Sequence, residues 1–188
     1  MNVAPGQVDH WKLIGPVVPE NLEDRRVLDV GPGGEDPCSR AIRSRSAVTV
    51  ASWNPSDERP AEEGVFDLVV CRDSLNATAH PANLLSDIWH LTAVDGTLLL
   101  ECRVMTAVDL SIYARFVEAA VGVGEAEWLP GRLALRWSVE TSGFDVDRWI
   151  DSPGLEAGSG EASAYLAATR VARPPALDIS IPEPAEDE

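Results

Sequence analysis

Residues 27–37, VLDVGPGGEDP, restrict what this chain can fold into more than any other stretch. Apolar residues surround Asp29, and Gly31, Gly33 and Gly34 follow at once. A short apolar run that opens into glycines has the form of a buried parallel strand delivering a nucleotide-like ligand to the start of a helix. Such a strand needs parallel neighbours covered on both faces, and those neighbours read as nearly unbroken apolar runs.

The remainder of the chain supplies them. AVTVAS (47–52), VFDLVVC (65–71) and VDGTLLLECRV (94–104, opening on an Asp95–Gly96 turn) read as three further strands. Helical segments alternate with them. Pro37 suits the first turn of a brief helix over 38–46. Leu84, Leu85, Ile88 and Trp89 recur at helical spacing behind Pro81. Ile112, Phe116 and Val117 predict a helix over 109–121, and 130–142 a last helix ended by Gly143. The segment before the first strand reads as a short amphipathic helix with a Pro-punctuated approach. DVDRWID (145–151) and SAYLAATRV (163–171) are joined without a helix, so they pair antiparallel as a hairpin. The expected fold is α/β: a Rossmann-like, mostly parallel sheet with helices on both faces and a C-terminal antiparallel hairpin. Residues 1–172 form one domain, and 173–188 an acidic, Pro-rich tail predicted to be disordered.

Charge narrows the partners. The 188 residues carry 15 Lys+Arg against 31 Asp+Glu, a formal net charge of -16, which repels phosphate backbones and argues against nucleic acid. Cys38, Cys71 and Cys102 are widely spaced, and no CxxC or His cluster has metal-ligand spacing. Thiols of this kind and the lack of a long apolar run predict a cytoplasmic protein without a membrane span.

With VLDVGPGG, VTVASWNP, FDLVVCRDSLNATAHP, DGTLLLE and the closing hairpin in this order, the chain resembles the class I S-adenosylmethionine-dependent methyltransferases over residues 11–171. WLPGRLALRWSVETSGFDVDRWID is similar to the C-terminal part of the enzymes that modify the 5-oxy group of wobble uridine in tRNA. The resemblance implies S-adenosylmethionine as cofactor. It places Asp29, Gly31 and Gly33 under the methionine half of that cofactor, and Ser52, Arg72 and Asp73 along its edge. A dinucleotide fingerprint would need glycine where Asp36 stands, which disfavours NAD.

Three departures bear on cofactor use. Glu35 puts a carboxylate where a third glycine is usual. Ser52 stands where an acidic residue normally accepts both ribose hydroxyls, a loss of about 1–3 kcal/mol. Only thirteen residues separate Ser52 from Phe66, so a helix, a strand and the adenine contact are missing from the middle. His80, before the helix-starting Pro81, is a candidate general base, and Arg103 a candidate for holding an acidic group; both are the expected catalytic side chains. Asn76 and Ala77 occupy the positions where that family often has a histidine or an aromatic residue. Trp53 and Trp128 flank the expected pocket and could stack on a flat ligand, while Trp89, Trp137 and Trp149 fall at core positions.

Two functions remain open on these residues. One is methyl transfer to a small-molecule or peptide-like acceptor. The other is a catalytically degenerate, methyltransferase-like pseudoenzyme that binds or assembles with a partner protein, as a homo- or hetero-oligomer.

Overall fold

The computed structural model describes residues 22–31, 42, 49–105, 114–118, 126–151 and 161–172. Eight strands and three helices lie among them. They are β1 (Arg26–Val30), β2 (Thr49–Trp53), β3 (Phe66–Arg72), α1 (Ser74–Ala77), α2 (Pro81–Leu91), β4 (Thr92–Met105), β5 (Ala114–Glu118), β6 (Ala126–Pro130), α3 (Arg132–Thr141), β7 (Phe144–Asp151) and β8 (Glu161–Arg170). Six strands form one sheet in the order β2-β1-β3-β4-β8-β7. β2, β1, β3 and β4 run parallel, β8 is antiparallel to β4, and β7 antiparallel to β8. The predicted α/β sheet with its closing hairpin is the architecture observed.

Central position explains the composition of β3 and β4. In β3, Leu68 and Val70 face one side and Val69 and Cys71 the other, all buried. On the second of these faces Leu84, Leu85, Ile88 and Leu91 of α2 and Leu135 and Val139 of α3 close the larger core with Leu28, Val30, Leu98 and Leu100. On the first face Val27, Leu68, Val70, Leu99 and Tyr165 gather with Leu22 and Ile42. Truncating one of the fully buried leucines to alanine would cost about 2–5 kcal/mol.

The middle of the chain is as short as the sequence suggests. Residues 54–65 form neither helix nor strand, and β2 is left at the sheet edge. Asn54 turns the chain, its Oδ1 accepting from the Ser56 N–H at 3.0 Å and its carbonyl from the Asp57 N–H at 2.8 Å.

Three expectations need correction. The helix over 109–121 is not formed: Ala114–Glu118 is a strand paired antiparallel with Ala126–Pro130 in a separate two-stranded sheet. Apolar runs on either side of Gly122 and Gly124 suit a hairpin, and three residues at helical spacing did not outweigh that pattern. The last helix begins at Arg132, because Pro130 belongs to β6; Gly143 ends it in a left-handed conformation, φ 95°. Trp137 is 54% exposed, two positions from buried Leu135 and Val139 and so on the opposite side of α3. Residues 1–21, the segment 38–46 apart from the helical Ile42, Gly33, Glu35, Cys38 and the tail from 173 lie outside the described residues.

At the amino ends of the strands, Asp67 of β3 accepts the Arg26 backbone N–H at 2.9 Å and pairs with the Arg25 guanidinium at 2.8 Å. Burial alone would raise its pKa; the Arg26 N–H and the Arg25 side chain outweigh that and hold it below the ordinary aspartate value. A carboxyl depressed in the folded state stabilises above its unfolded pKa and loses that contribution as pH falls through the folded value. Asp67→Asn should therefore lower stability by about 1 kcal/mol at pH 7, given the half-exposed partner. The difference from wild type should vanish as pH drops below the usual carboxylate range, as urea titrations at several pH values would show. A difference that persists at low pH would refute the assignment.

Candidate active site

Ligands in open α/β sheets sit beyond the carboxyl ends of the parallel strands, where Gly31, Trp53, Asp73 and the end of β4 lie together here. The register sets Asp29 of β1 beside Ser52 of β2 and Val70 of β3, so the sheet brings Asp29 and Ser52 onto one face. Asp29 is 3% exposed, and Ser52 is exposed. The Gly31 N–H donates to the Trp53 carbonyl at 3.1 Å, extending the β1–β2 ladder by one step.

Gly31 lacks a positive φ. Among the described residues, a Cβ built on it would meet nothing closer than Ser74 Oγ at 4.0 Å. No described neighbour demands glycine there, and the open space above the strand end suits the close approach of a ligand. Ser74, buried in α1, seals the floor of that space: its hydroxyl donates to the Val30 carbonyl at 3.0 Å and lies 3.1 Å from the Arg72 carbonyl. Asp73 precedes it in a left-handed conformation, φ 54° and ψ -13°, with an exposed side chain and its N–H on the Glu101 carbonyl at 3.3 Å. A non-glycine residue held in this region costs of order 1 kcal/mol or more and marks a place where the surroundings over-determine the backbone.

Arg72 ends β3 in an ion pair with Glu101, Nε to Oε2 at 2.7 Å, with the Asp73 carboxylate 3.7 Å away. Glu101 is 8% exposed, and its other oxygen accepts the Tyr165 hydroxyl at 2.8 Å. The Arg103 backbone is bound by the buried Asn76 side chain. Asn76 Oδ1 accepts the Arg103 N–H at 2.8 Å, and Nδ2 donates to the carbonyls of Arg103 and Trp128 at 3.0 and 2.7 Å. His80 is exposed at the start of α2, its N–H on Thr78 Oγ1 at 3.1 Å.

Of the residues singled out in the sequence, Asp29, Gly31, Ser52, Arg72 and Asp73 converge at the strand ends. Arg103 lies two positions beyond Glu101 along β4, and the hydrogen bond of His80 is local, from its N–H to Thr78 Oγ1. Trp53 and Trp128 are each 6% exposed in the larger core, so packing occupies both. Reading the sequence missed Glu101, Tyr165 and Ser74. A glutamate inside the apolar run LLLEC was the available signal, since an acid in a central strand needs a partner.

Burial pushes the Cys71 thiol up to about 12, with the negative Asp73 adding to it; Cys102 is raised likewise by burial and by Cys71. Neither is a nucleophile at neutral pH. No group of three or more His, Cys, Asp or Glu able to hold a metal occurs among the described residues, and no helix among them is long and apolar enough to cross a membrane.

The sequence matches no family model and no curated protein. Solved structures match it closely in shape. An S-adenosylmethionine-dependent methyltransferase from Mesorhizobium loti superimposes with a TM-score of 0.59 over 86% of this chain and 97% of its own, at 12% identity. The fold is that of the S-adenosylmethionine-dependent methyltransferases. A Burkholderia thailandensis 1,6-didemethyltoxoflavin-N1-methyltransferase with bound S-adenosylhomocysteine gives 0.57 over 86% and 74% at 14% identity. The [4+2]-cyclase SpnF gives 0.57 over 85% and 79% at 16%.

Two measurements test this geometry. Asn76→Ala removes the side chain that bonds three buried or partly buried main-chain groups and should cost about 2–4 kcal/mol in urea unfolding; a loss under about 0.5 kcal/mol, the worth of one weak hydrogen bond, would contradict the bonding. Cys71 and Cys102 should resist alkylation at pH 8 in the folded protein and react once it is unfolded, with mass spectrometry locating the label. Rapid labelling of either in the native state would show that the strands are not packed as described.

Proposed function

We propose that the crevice at the carboxyl ends of β1, β2 and β3 binds S-adenosylmethionine and that the protein transfers its methyl group to a small-molecule or peptide-like acceptor. The observation that carries this reading is Gly31, a glycine that no described side chain crowds closer than 4.0 Å, at the end of a strand whose buried Asp29 stands beside Ser52. A fold shared with methyltransferases supports it but does not by itself decide the reaction.

The residues present fit the cofactor in part. Asp29, Gly31 and Asp73 would hold its amino-acid half by backbone approach and carboxylate contacts, and Ser52 would meet its ribose with one hydroxyl. When bound, the cofactor supplies an electrophilic methyl group on a sulfonium. The protein's own part is to align the acceptor and exclude water, so that catalysis is chiefly positioning. His80, exposed at the start of α2, is the proposed proton acceptor, and Arg103 the proposed anchor for an acidic group on the acceptor. The similarity to the tRNA wobble-uridine enzymes conflicts with a net charge of -16, and we do not extend the proposal to RNA.

A second reading has its own observation. Ser52 is neutral and exposed, and β2 has no further strand outside it in the six-stranded sheet. A retired cofactor site, with a partner protein covering that side, would also fit.

Calorimetric titration with S-adenosylhomocysteine separates the two. Micromolar binding that weakens at least about tenfold in Asp29→Ala supports the enzyme. Ser52→Asp, which restores a carboxylate at an exposed position, should tighten binding about tenfold by offering two charge-assisted bonds in place of one weak one. No heat at millimolar ligand in wild type and Ser52→Asp alike would favour the retired site.

A further inference from the structure

We propose that Glu101 is a positioning residue for this crevice: it fixes and neutralises Arg72, holds Asp73 at the crevice edge, and so favours a cationic ligand. The inference rests on the crevice being the S-adenosylmethionine site.

Arg72, Glu101 and Tyr165 are direct register partners on three adjacent strands, β3, β4 and β8. Their side chains therefore leave the sheet on the same face in one row. The row is continuous: Tyr165 hydroxyl to Glu101 Oε1 at 2.8 Å, Glu101 Oε2 to Arg72 Nε at 2.7 Å, and Arg72 Nε to Asp73 Oδ2 at 3.7 Å. It begins in the core, where Tyr165 is 4% exposed, and ends at the exposed Asp73. Glu101 holds Asp73 a second time through its own carbonyl, which accepts the Asp73 N–H.

Stability alone does not account for this row. A carboxylate buried to this degree pays a desolvation cost that its partners only offset, and apolar residues of similar volume serve a sheet as well. What the pair does provide is a rigid guanidinium at the strand end with its charge already balanced. Among the described residues at the strand ends, the carboxylates of Asp29, Asp73 and Glu101 outnumber the guanidiniums of Arg72 and Arg103. Those residues leave a negative balance, which suits a ligand carrying a sulfonium and an ammonium.

Removing the Glu101 charge without its shape should weaken that negative balance by one charge. In Glu101→Gln the amide oxygen still accepts from Tyr165, but Arg72 loses the carboxylate that stands 2.7 Å from its Nε. S-adenosylmethionine should then bind about tenfold more weakly, while S-adenosylhomocysteine, which lacks the sulfonium charge, should lose only about two- to threefold. A residue that merely braced the sheet would weaken both ligands equally, so the ratio of the two affinities is the decisive readout. Tyr165→Phe keeps every charge and removes one hydrogen bond. It serves as the second variant if Glu101→Gln fails to fold, and should weaken both ligands about threefold.

Unchanged affinities in a folded Glu101→Gln protein, or equal losses for both ligands, would overturn the role assigned to Glu101 while leaving the cofactor site in place. If Glu101→Gln does not fold, wild-type affinities in Tyr165→Phe would overturn it. Wild-type protein that binds neither ligand would instead remove the cofactor reading itself, and this role with it.

Discussion

β4 outruns β3. It extends from Thr92 to Met105, and β3 accompanies it only as far as the Arg72–Glu101 pair. A buried strand edge cannot keep free N–H and C=O groups without a cost of about 1–3 kcal/mol each, and the rest of the structure follows from how this edge is filled. Asn76 covers the next step: its side-chain amide bonds both the N–H and the carbonyl of Arg103, as a peptide group of a neighbouring strand would. The same amide reaches the Trp128 carbonyl of β6, and Met105 then bridges to Gly131. One side chain thus joins the turn after β3, the end of β4 and the small β5–β6 sheet. The position where the resembled enzymes often carry a histidine or aromatic residue serves here as structural glue.

Polar groups elsewhere in the sheet sit at its ends. Asp67 ties β3 to β1 at the amino ends, and Ser74 ties Val30 to Arg72 at the carboxyl ends. Between them Leu68 to Cys71 of β3 is apolar on both faces. The acids that remain near the crevice are therefore fixed by the sheet itself: Asp29 by its register with Ser52 and Val70, Glu101 by its register with Arg72 and Tyr165. An ionised group in such surroundings persists only when paired, and each pairing sets what charge is left for a ligand.

The shape of this sheet does not choose a reaction. Two methyltransferases and a [4+2]-cyclase superimpose on it almost equally well, all at identities of 12–16%. What we take to favour methyl transfer in this chain is local: Gly31, which no described side chain crowds, and the buried Asp29 beside Ser52. What speaks for a retired or altered site is local too, in the neutral Ser52 and the short passage over residues 54–65.

The sequence by itself determined the parallel sheet, its closing hairpin and the strand ends that carry Asp29, Gly31 and Asp73. These follow from apolar runs, glycines and prolines whose effects act within a few residues. It also made the short middle plain, since thirteen residues cannot hold a further helix and strand. Only the tertiary structure decided that Ala114–Glu118 is a strand, because its local spacing suits a helix as well as a hairpin and only the pairing with Ala126–Pro130 settles between them. The partners of Asn76 and Glu101 were likewise invisible. Asn76 acts on residues 27 and 52 positions away, and Glu101 meets Tyr165 across 64, so only the folded register brings them within hydrogen-bond reach.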